Sequence, residues 1–331
     1  MKKLILAALC LFHFADCLAY NRQFGMSNAR FTADGTIGGI GGREFADYAV
    51  RAQMSRMLSN RWTVGGIASY DQLAFQAGQF ARDAFAYVET GYGRLEAGWT
   101  ESIASKLALR LPDVGGLRLN NNSFVYDSDF SGITNPTVRG NQYAWRGNYA
   151  SMPNKAFQFG FSQTIRGASF KSSSDIGIRY RNHYGAIKTS FSIGGSYIEA
   201  PSGLIGDNFL APTTARARYQ GTFGFNWQSG SLVWAATLKA VVDDSPIGGA
   251  TDGLQAGTGL SYDFLSASAS ANYIFSSVGT WGGGGDMAHT AVLSLRYKAS
   301  RFFNIWTSGG VVAPSSGVRH FLTAAGLSAS F

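Results

Sequence analysis

The segment ARARYQGTFGFNWQ, residues 215–228, alternates two kinds of residue over its whole length. Side chains on an extended strand point alternately to the two faces of a sheet, whereas a helix brings residues three or four apart onto one face. The segment is therefore predicted to be a β-strand with one apolar and one polar face. The first face carries Ala215, Ala217, Tyr219, Gly221, Phe223, Phe225 and Trp227, and the second carries Arg216, Arg218, Gln220, Thr222, Gly224, Asn226 and Gln228.

The same two-residue period recurs along most of the chain from residue 28 onward. It predicts sixteen strands, an even number, as expected for a single-chain bacterial β-barrel. Most of the segments are near the roughly 9–11 residues that a tilted strand needs to cross a bilayer. The predicted strands are 28–37, 47–57, 62–71, 83–91, 94–101, 138–149, 156–166, 174–182, 186–198, 214–228, 232–242, 253–264, 266–277, 287–297, 302–312 and 319–331.

The composition supports a barrel in a membrane. Of the 331 residues, 14% are aromatic and only 15% are charged, against about 25% charged residues in soluble domains. The mean hydropathy is nevertheless −0.03, so apolar and polar residues are mixed at fine spacing. A transmembrane barrel places the apolar set toward lipid and the polar set toward its lumen. The predicted fold class is all-β, a transmembrane antiparallel barrel.

The predicted connections alternate in length. Short ones fall at 58–61, 92–93, 150–155, 182–185, 229–231, 265 and 298–301. The others, mostly longer and rich in Gly, Pro, Asp and Ser, fall at 38–46, 72–82, 102–137, 167–173, 199–213, 243–252, 278–286 and 313–318. Short periplasmic turns and longer outer loops are typical of outer-membrane barrels, and sixteen strands leave both termini on the periplasmic side.

The first residues, MKKLILAALCLFHFADCLA, have the features of a secretory signal peptide. Lys2 and Lys3 precede an apolar stretch too short for the roughly 20 residues of a transmembrane helix. We expect cleavage after Ala19, leaving residues 20–331 as one barrel domain in the outer membrane of a Gram-negative cell. Both cysteines of the chain lie in this leader, so disulfides are not expected to stabilise the barrel.

The formal net charge is +8, and export makes nucleic acid an unexpected partner. A lumen or rim that favours anions is the preferred interpretation. In addition to Arg30 and Arg51, alternation places nine basic residues on inward positions. Their positive charge predicts weak anion selectivity. They are Arg94, Arg146, Arg166, Arg179, Arg181, Lys188, Arg216, Arg218 and Lys239.

The third long connection, 102–137, stands out because loops above roughly 15 residues are usually functional or disordered. It contains LPDVGG at residues 111–116. This motif is a variant of the Leu-Pro-Glu-Phe-Gly-Gly turn of the general bacterial porins, and the chain resembles that family in strand count and loop order over residues 20–331. The resemblance implies a homotrimeric diffusion channel whose third loop folds into the barrel and narrows it.

The resemblance also implies a constriction with opposed charges. Asp113 stands at the motif's acid, which faces the pore in that family, while Leu109 replaces a second acid found in enterobacterial members. Alternation turns Arg30 and Arg51 inward, and a transverse field between such groups would orient dipolar solutes. The expected constriction residues are Asp113, Asp127, Asp129, Arg30, Arg51, Arg110 and Arg118, with Pro112, Gly115 and Gly116 forming the turn. Lys106, Arg110 and Arg118 balance the three acids of the loop, which argues against a strong cation preference.

The last strand ends in Phe331 after alternating apolar residues. A terminal aromatic residue in this place resembles the signal recognised by the barrel-assembly machinery. The partners implied are therefore that machinery, outer-membrane lipid and lipopolysaccharide, two further copies of the chain, and small hydrophilic solutes and ions. The sequence contains no motif for a cofactor or metal, because its glycine-rich segments at 38–44 and 281–286 do not open helices.

Three other functions stay open. A substrate-specific channel for sugars or phosphorylated solutes would carry aromatic residues inside, and Trp306 and Phe302 have the inward phase, although Phe303 and Ile305 leave that face ambiguous. An adhesin would have a plugged lumen. An enzyme is not expected, because His289 near the outer rim has no serine motif beside it.

Overall fold

The structure is a computed structural model. It describes residues 28–330 apart from 41–42, 59–60, 73–79, 82, 113, 115–142, 153–155, 168–170, 200–216, 245–250, 279–286 and 316–317. The expected signal peptide and Phe331 lie outside the described residues.

The described residues form seventeen β-strands and one short helix. The strands before the third long loop are β1 (Asn28–Ile40), β2 (Arg43–Met57), β3 (Thr63–Gln72), β4 (Phe80–Ala81), β5 (Ala84–Glu89) and β6 (Gly93–Glu101), followed by helix α1 (Ile103–Leu107). The later strands are β7 (Tyr143–Ser151), β8 (Phe157–Gly167), β9 (Ser172–Tyr184), β10 (Ile187–Glu199), β11 (Ala217–Ser229), β12 (Leu232–Asp244), β13 (Thr251–Asp263), β14 (Ala267–Val278), β15 (Met287–Lys298), β16 (Phe303–Pro314) and β17 (His320–Ser330).

These strands fill sixteen positions of one antiparallel barrel. Strands β4 and β5 share a position, because both pair with β3 on either side of a short break. At that break the Ser69 amide donates to the Asp83 carbonyl oxygen at 2.8 Å. The ring closes where β17 pairs with β1, from Thr32↔Ser330 to Ile40↔Leu322. The predicted sixteen-stranded all-β barrel is confirmed.

The first hairpin differs from the sequence prediction. The glycines of residues 38–44 indicated a loop at 38–46, but β1 continues to Ile40 and β2 begins at Arg43. Cross-strand pairing from Asn28↔Ser55 to Ile40↔Arg43 extends the ladder through these glycines. Glycine has a low strand propensity, and here the ladder overrides it.

The two faces of the sheet have reversed exposure compared with a soluble protein. Large apolar side chains stand in the open, with Phe161 57%, Ile176 57% and Leu293 67% exposed. Their polar neighbours Ser162 and Ser294 are each only 2% exposed. Soluble proteins bury the apolar set instead, whereas a barrel in lipid turns it outward. We call these the outer and inner faces.

Two of the tight turns depend on glycine. Gly185 (φ 59°) is the first residue of the turn between β9 and β10, and Gly230 (φ 56°) is the first residue of the turn between β11 and β12. Two-residue hairpin loops favour positive φ because their twist then matches that of the strands. These turns fall at two of the predicted short connections.

Of the helices in the described part of the chain, none is long and apolar enough to cross a membrane.

Candidate functional site

The start of the third long loop lies against the inner face of the barrel. Helix α1 begins after Ser102, whose Oγ accepts a hydrogen bond from the Ser105 amide at 3.2 Å, a common arrangement at helix N-termini. Ile103, Ala104 and Leu107 are buried against the wall. Sequence analysis did not predict this helix, because five residues are too few to show a helical period.

Hydrogen bonds attach this segment to strands on the inner face. The donors and acceptors are short side chains of β8, β10 and β14, all on the polar face. Residues 102–112 and 114 therefore run along the wall rather than standing away from it. The bonds join Ile103 N to Ser162 Oγ (3.2 Å), Leu109 N to Ser192 Oγ (2.9 Å), Val114 N to Ser270 Oγ (3.2 Å) and Asn272 Nδ2 to Pro112 O (3.1 Å).

Arg179 of β9 holds the C-terminal end of α1. Its Nε donates to the Leu107 carbonyl oxygen at 2.8 Å, and its Nη2 donates to the Ala108 carbonyl oxygen at 2.9 Å. The last carbonyls of a helix lack partners within the helix and carry partial negative charge. A guanidinium from the wall satisfies both requirements at once, so Arg179 is an anchor of the loop as well as an inward base.

Lys106 of α1 reaches the wall on the other side. Its ammonium contacts the Glu96 carboxylate of β6 and donates to Thr100 Oγ1 at 2.7 Å. The same ammonium lies 4.3 Å from the centroid of the Phe85 ring. Glu96 also accepts from Asn148 Nδ2 at 3.0 Å. One basic residue of the loop is thus neutralised by a carboxylate of the barrel.

A buried ion pair lies behind the helix. Arg146 Nη1 and Asp175 Oδ2 are 3.0 Å apart, and both side chains are 0% exposed. Asp175 also accepts from Ser162 Oγ at 3.1 Å and from Ser196 Oγ at 2.5 Å. Because Ser162 in turn accepts from the Ile103 amide, the ion pair is connected to the loop. A buried charge needs such partners.

The predicted constriction residues are only partly brought together. Arg51 faces inward and lies 3.5 Å from Asp83 of the wall. Arg30 is exposed on the inner face, next to Gln53 across the β1–β2 ladder. Arg110 lies 3.6 Å from Glu101, at the end of β6. Pro112 lies at the wall, where its carbonyl oxygen accepts a hydrogen bond from Asn272 Nδ2. Outside the described residues lie Asp113, Gly115, Gly116, Arg118, Asp127 and Asp129, so an opposed pair of Asp113 with Arg30 or Arg51 stays a prediction.

Sequence reasoning missed the acids that neutralise these bases. Asp83, Glu96, Glu101 and Asp175 were not among the predicted site residues, although Glu96 has the same inward phase as Arg94. Arg94 itself pairs with Glu96, with Nε 2.9 Å from Oε1. Alternation gives the face of a residue but not its partner across strands. Counting inward bases alone therefore overstates the positive charge offered to a solute.

A surface ion pair joins two strand ends. The Lys171 ammonium donates to Glu199 Oε1 at 2.5 Å. This hydrogen bond and the carboxylate charge raise the pKa of Lys171. A lysine whose pKa is raised in the folded protein contributes stability that is fully present at pH values below its ordinary pKa. That stability is lost as the pH rises through the raised pKa. The pair is therefore formed at neutral pH, although exposed pairs contribute little to stability.

The structure gives the faces of four residues considered for other functions. Trp306 is on the inner face of β16, 5% exposed, and lies over Gly326. Phe303 and Ile305 of the same strand are on the outer face. His289 is exposed on the outer face, where its Nδ1 lies 2.6 Å from the Tyr273 hydroxyl. It therefore points away from the lumen.

The barrel matches solved porin structures. The chain is similar to the anion-selective porin from Comamonas acidovorans at 11% identity, with 92% of this chain and 99% of that chain covered and a TM-score of 0.63. It is similar to OmpF of Salmonella typhi, in a complex with daunomycin, at 13% identity, 92% and 97% coverage and a TM-score of 0.60. The chain has the porin fold. OmpT, an outer membrane protein of Vibrio cholerae, matches at 9% identity, 92% and 97% coverage and a TM-score of 0.66.

The similarity to porins is one of structure and not of sequence. A scan of protein-family models and a search of curated proteins by sequence find no match. The resemblance to Gram-negative porins predicted from strand count and loop order is confirmed by these structures. Identities of 9–13% establish the fold alone. The activity of this porin-like barrel has to be argued from its own residues.

Proposed function

We propose that the protein forms a water-filled channel for passive diffusion of small hydrophilic solutes and ions across the outer membrane. The observation that carries this proposal is the closed sixteen-position barrel whose inner face is polar and whose outer face is apolar. A sixteen-stranded barrel encloses an aqueous channel rather than a filled core. Residues 102–112 of the third loop, which lie along the inner wall, reduce the width of this channel.

Residues 1–19 are proposed to direct export, and Phe331 is proposed to be recognised during barrel assembly. Outer-membrane lipid and lipopolysaccharide are the surroundings proposed for the outer face. The exposed apolar side chains support this placement, because in water they would form a large aggregation-prone surface. No enzymatic activity is proposed.

The proposed constriction combines Arg30, Arg51 and Arg110 with Asp113. Asp127, Asp129 and Arg118 are proposed to lie near them on the loop. Weak anion selectivity is supported by the inward base Arg30 and by Arg179, whose guanidinium donates to backbone carbonyls rather than to a carboxylate. The preference is proposed to be weak because Arg51, Arg94, Lys106, Arg110 and Arg146 each lie within 4 Å of a carboxylate oxygen.

General diffusion is preferred to a substrate-specific channel because of how the inward aromatic residues are placed. Phe85, Tyr87 and Trp306 are 6%, 5% and 5% exposed. The Arg94 guanidinium lies 3.8 Å from the centroid of the Tyr87 ring. Rings covered in this way offer a passing solute little surface, so they do not support an aromatic track for sugars.

A homotrimer is proposed from the outer face of the first six strands. Small residues adjoin one another there across the ladders, unlike the aromatic residues of β7–β11. Small residues let the backbones of membrane helices approach closely, and we propose that this small-residue surface lets two barrels approach in the same way. Adjoining pairs are Ala52↔Ala68, Ala68↔Ala84, Gly66↔Ala86 and Ala86↔Ala97.

Single-channel recording of the purified protein in a planar bilayer tests the proposal. We expect conductance steps in groups of three, followed by a reversal potential of the anionic sign under a salt gradient. A cationic sign would overturn the anion preference alone. Protein that is folded by heat-modifiable mobility but carries no current would overturn the diffusion channel and favour a plugged adhesin.

A further inference from the structure

A row of glycines lines the inner wall where the loop lies. The glycines are on β8, β9, β10, β11 and β13, and a Cβ atom added to any of them would come close to an atom of the loop. The distances from such a Cβ are 2.5 Å to Ile103 Cγ1 for Gly160, 3.1 Å to Ala104 Cα for Gly177, 3.4 Å to Ala104 Cβ for Gly194, 2.8 Å to Leu109 Cβ for Gly224 and 2.9 Å to Pro112 Cδ for Gly259.

The row follows the strands in order from β8 to β11 and resumes on β13, after Thr237 of β12, which pairs with Gly224. Gly160 pairs directly with Gly177, and Gly177 pairs with Gly194. On the next strand Gly194 pairs with Thr222, so Gly224 lies two residues further along. The loop advances in the same direction, because its contacts pass from Ile103 at Gly160 to Pro112 at Gly259. The glycines therefore follow the path of the loop.

Glycine weakens a strand, and inside a sheet it often marks a place where another backbone approaches closely. Gly177 shows this most directly, because the three atoms nearest to its added Cβ all belong to the loop: Ala104 Cα, Ile103 O and Leu107 Cβ at 3.1–3.3 Å. Contacts this tight force the loop or the wall to shift. Elsewhere in the row, side chains of the wall also crowd the added atom, such as Ser192 Oγ at 2.6 Å for Gly224.

Polar anchors lie beside the glycines and point at the same segment. Ser162 and Ser192 flank the row on β8 and β10, and each accepts a hydrogen bond from a loop amide. Asn272 pairs with Gly259 across the ladder and donates to the Pro112 carbonyl. Close contact at the glycines and bonding at their neighbours together fix both the distance of the loop from the wall and its position along it.

We propose that this glycine row is a groove that receives the third loop and thereby determines the width of the pore. The proposal rests on the proposed function, since a width matters only for a channel. At Gly160, Gly177, Gly224 and Gly259 the loop lies nearer to the wall than a Cβ atom would comfortably allow. Residues 102–112 would project further into the lumen if the row carried larger side chains.

An engineered disulfide tests the docking without reference to conduction. A Cβ on Gly194 would lie 3.4 Å from Ala104 Cβ, close to the roughly 3.5–4.5 Å of disulfide-bonded cysteines. In full-length protein carrying Cys10→Ser and Cys17→Ser, the pair Ala104→Cys with Gly194→Cys is expected to cross-link on mild oxidation. The matched control combines Ala104→Cys with Gly195→Cys, which faces the outer side of the same strand and is expected not to cross-link. No cross-link in the first pair, or equal cross-linking in both, would overturn the groove.

Side-chain additions test the pore width. Gly177→Val and Gly224→Val are expected to lower single-channel conductance, because the added groups push the loop toward the lumen. Gly221→Val is the control on β11, since no atom of the described residues lies within 4 Å of a Cβ at that position. Its conductance is expected to match that of the unmodified protein. Unchanged conductance in both inner variants would overturn the link to pore width. If the disulfide forms and no variant or parent conducts, the groove stands and the diffusion channel fails.

Discussion

At the scale of single residues, Asp175 joins several side chains near the loop. Its carboxylate accepts from Arg146, Ser162 and Ser196, and both charged side chains of the pair are 0% exposed. A buried pair contributes little compared with apolar residues of the same shape, but the loss of one partner leaves a buried charge behind. The carboxylate of Asp175 is therefore needed to neutralise the buried charge of Arg146.

We expect Asp175→Asn to lower the free energy of unfolding by about 3 kcal/mol, the range found when one partner of a buried ion pair is removed. Urea unfolding of protein in lipid vesicles measures this. Ser196→Ala removes only one neutral donor to the same carboxylate and is expected to cost about 1 kcal/mol. Equal costs for the two variants would mean that the ion pair is not what stabilises this region.

At the scale of elements, α1 is held at both ends rather than by its own length. Five residues are far below the number that forms a stable helix in isolation. Ser102 satisfies the amide of Ser105, and Arg179 satisfies the carbonyls of Leu107 and Ala108. The helix therefore exists because the wall supplies its partners.

Arg179→Met is expected to release the C-terminal end of α1, which should increase current fluctuations and speed proteolytic cleavage within residues 102–112. Lys188→Met is the matched control, because it also removes one positive charge. Lys188 is exposed and lies beside the β9–β10 turn. Limited proteolysis and single-channel noise measure the two effects. Cleavage at the same rate in both variants would show that Arg179 contributes charge alone.

At the scale of the whole molecule, the two faces of the barrel meet different surroundings. Phe223, on the outer face of β11, is 42% exposed, and Asn226 is on the inner face of the same strand. We expect Phe223→Arg to destabilise the folded barrel by about 2–4 kcal/mol in vesicles, as for charges on the lipid face. Asn226→Arg is expected to leave stability nearly unchanged and to shift the reversal potential toward anions. The opposite order of stabilities in urea unfolding would reverse the assignment of the faces.

The small-residue surface of the first strands gives a test of the trimer. Ala68→Trp stays compatible with lipid but fills the space between two approaching barrels, so it is expected to yield monomers in unheated gels and in size-exclusion chromatography. Ala271→Trp, on the outer face of β14, is expected to leave the oligomer intact. Trimers of Ala68→Trp as stable as those of the parent would move the interface to another face.

Local alternation in the sequence predicted the sixteen strand positions and the two faces of each strand, because it alone sets the direction of a side chain on a strand. ARARYQGTFGFNWQ predicted the strand that became β11, and the phase that turned Arg51 inward agrees with its contact to Asp83. Which side chains contact one another could be read from the folded barrel and not from this alternation. The 3.0 Å contact of Arg146 with Asp175 spans 29 positions of the chain, and the bond from Arg179 to Leu107 spans 72. Such partners depend on strand register and barrel closure, which long-range pairing establishes and no local period encodes.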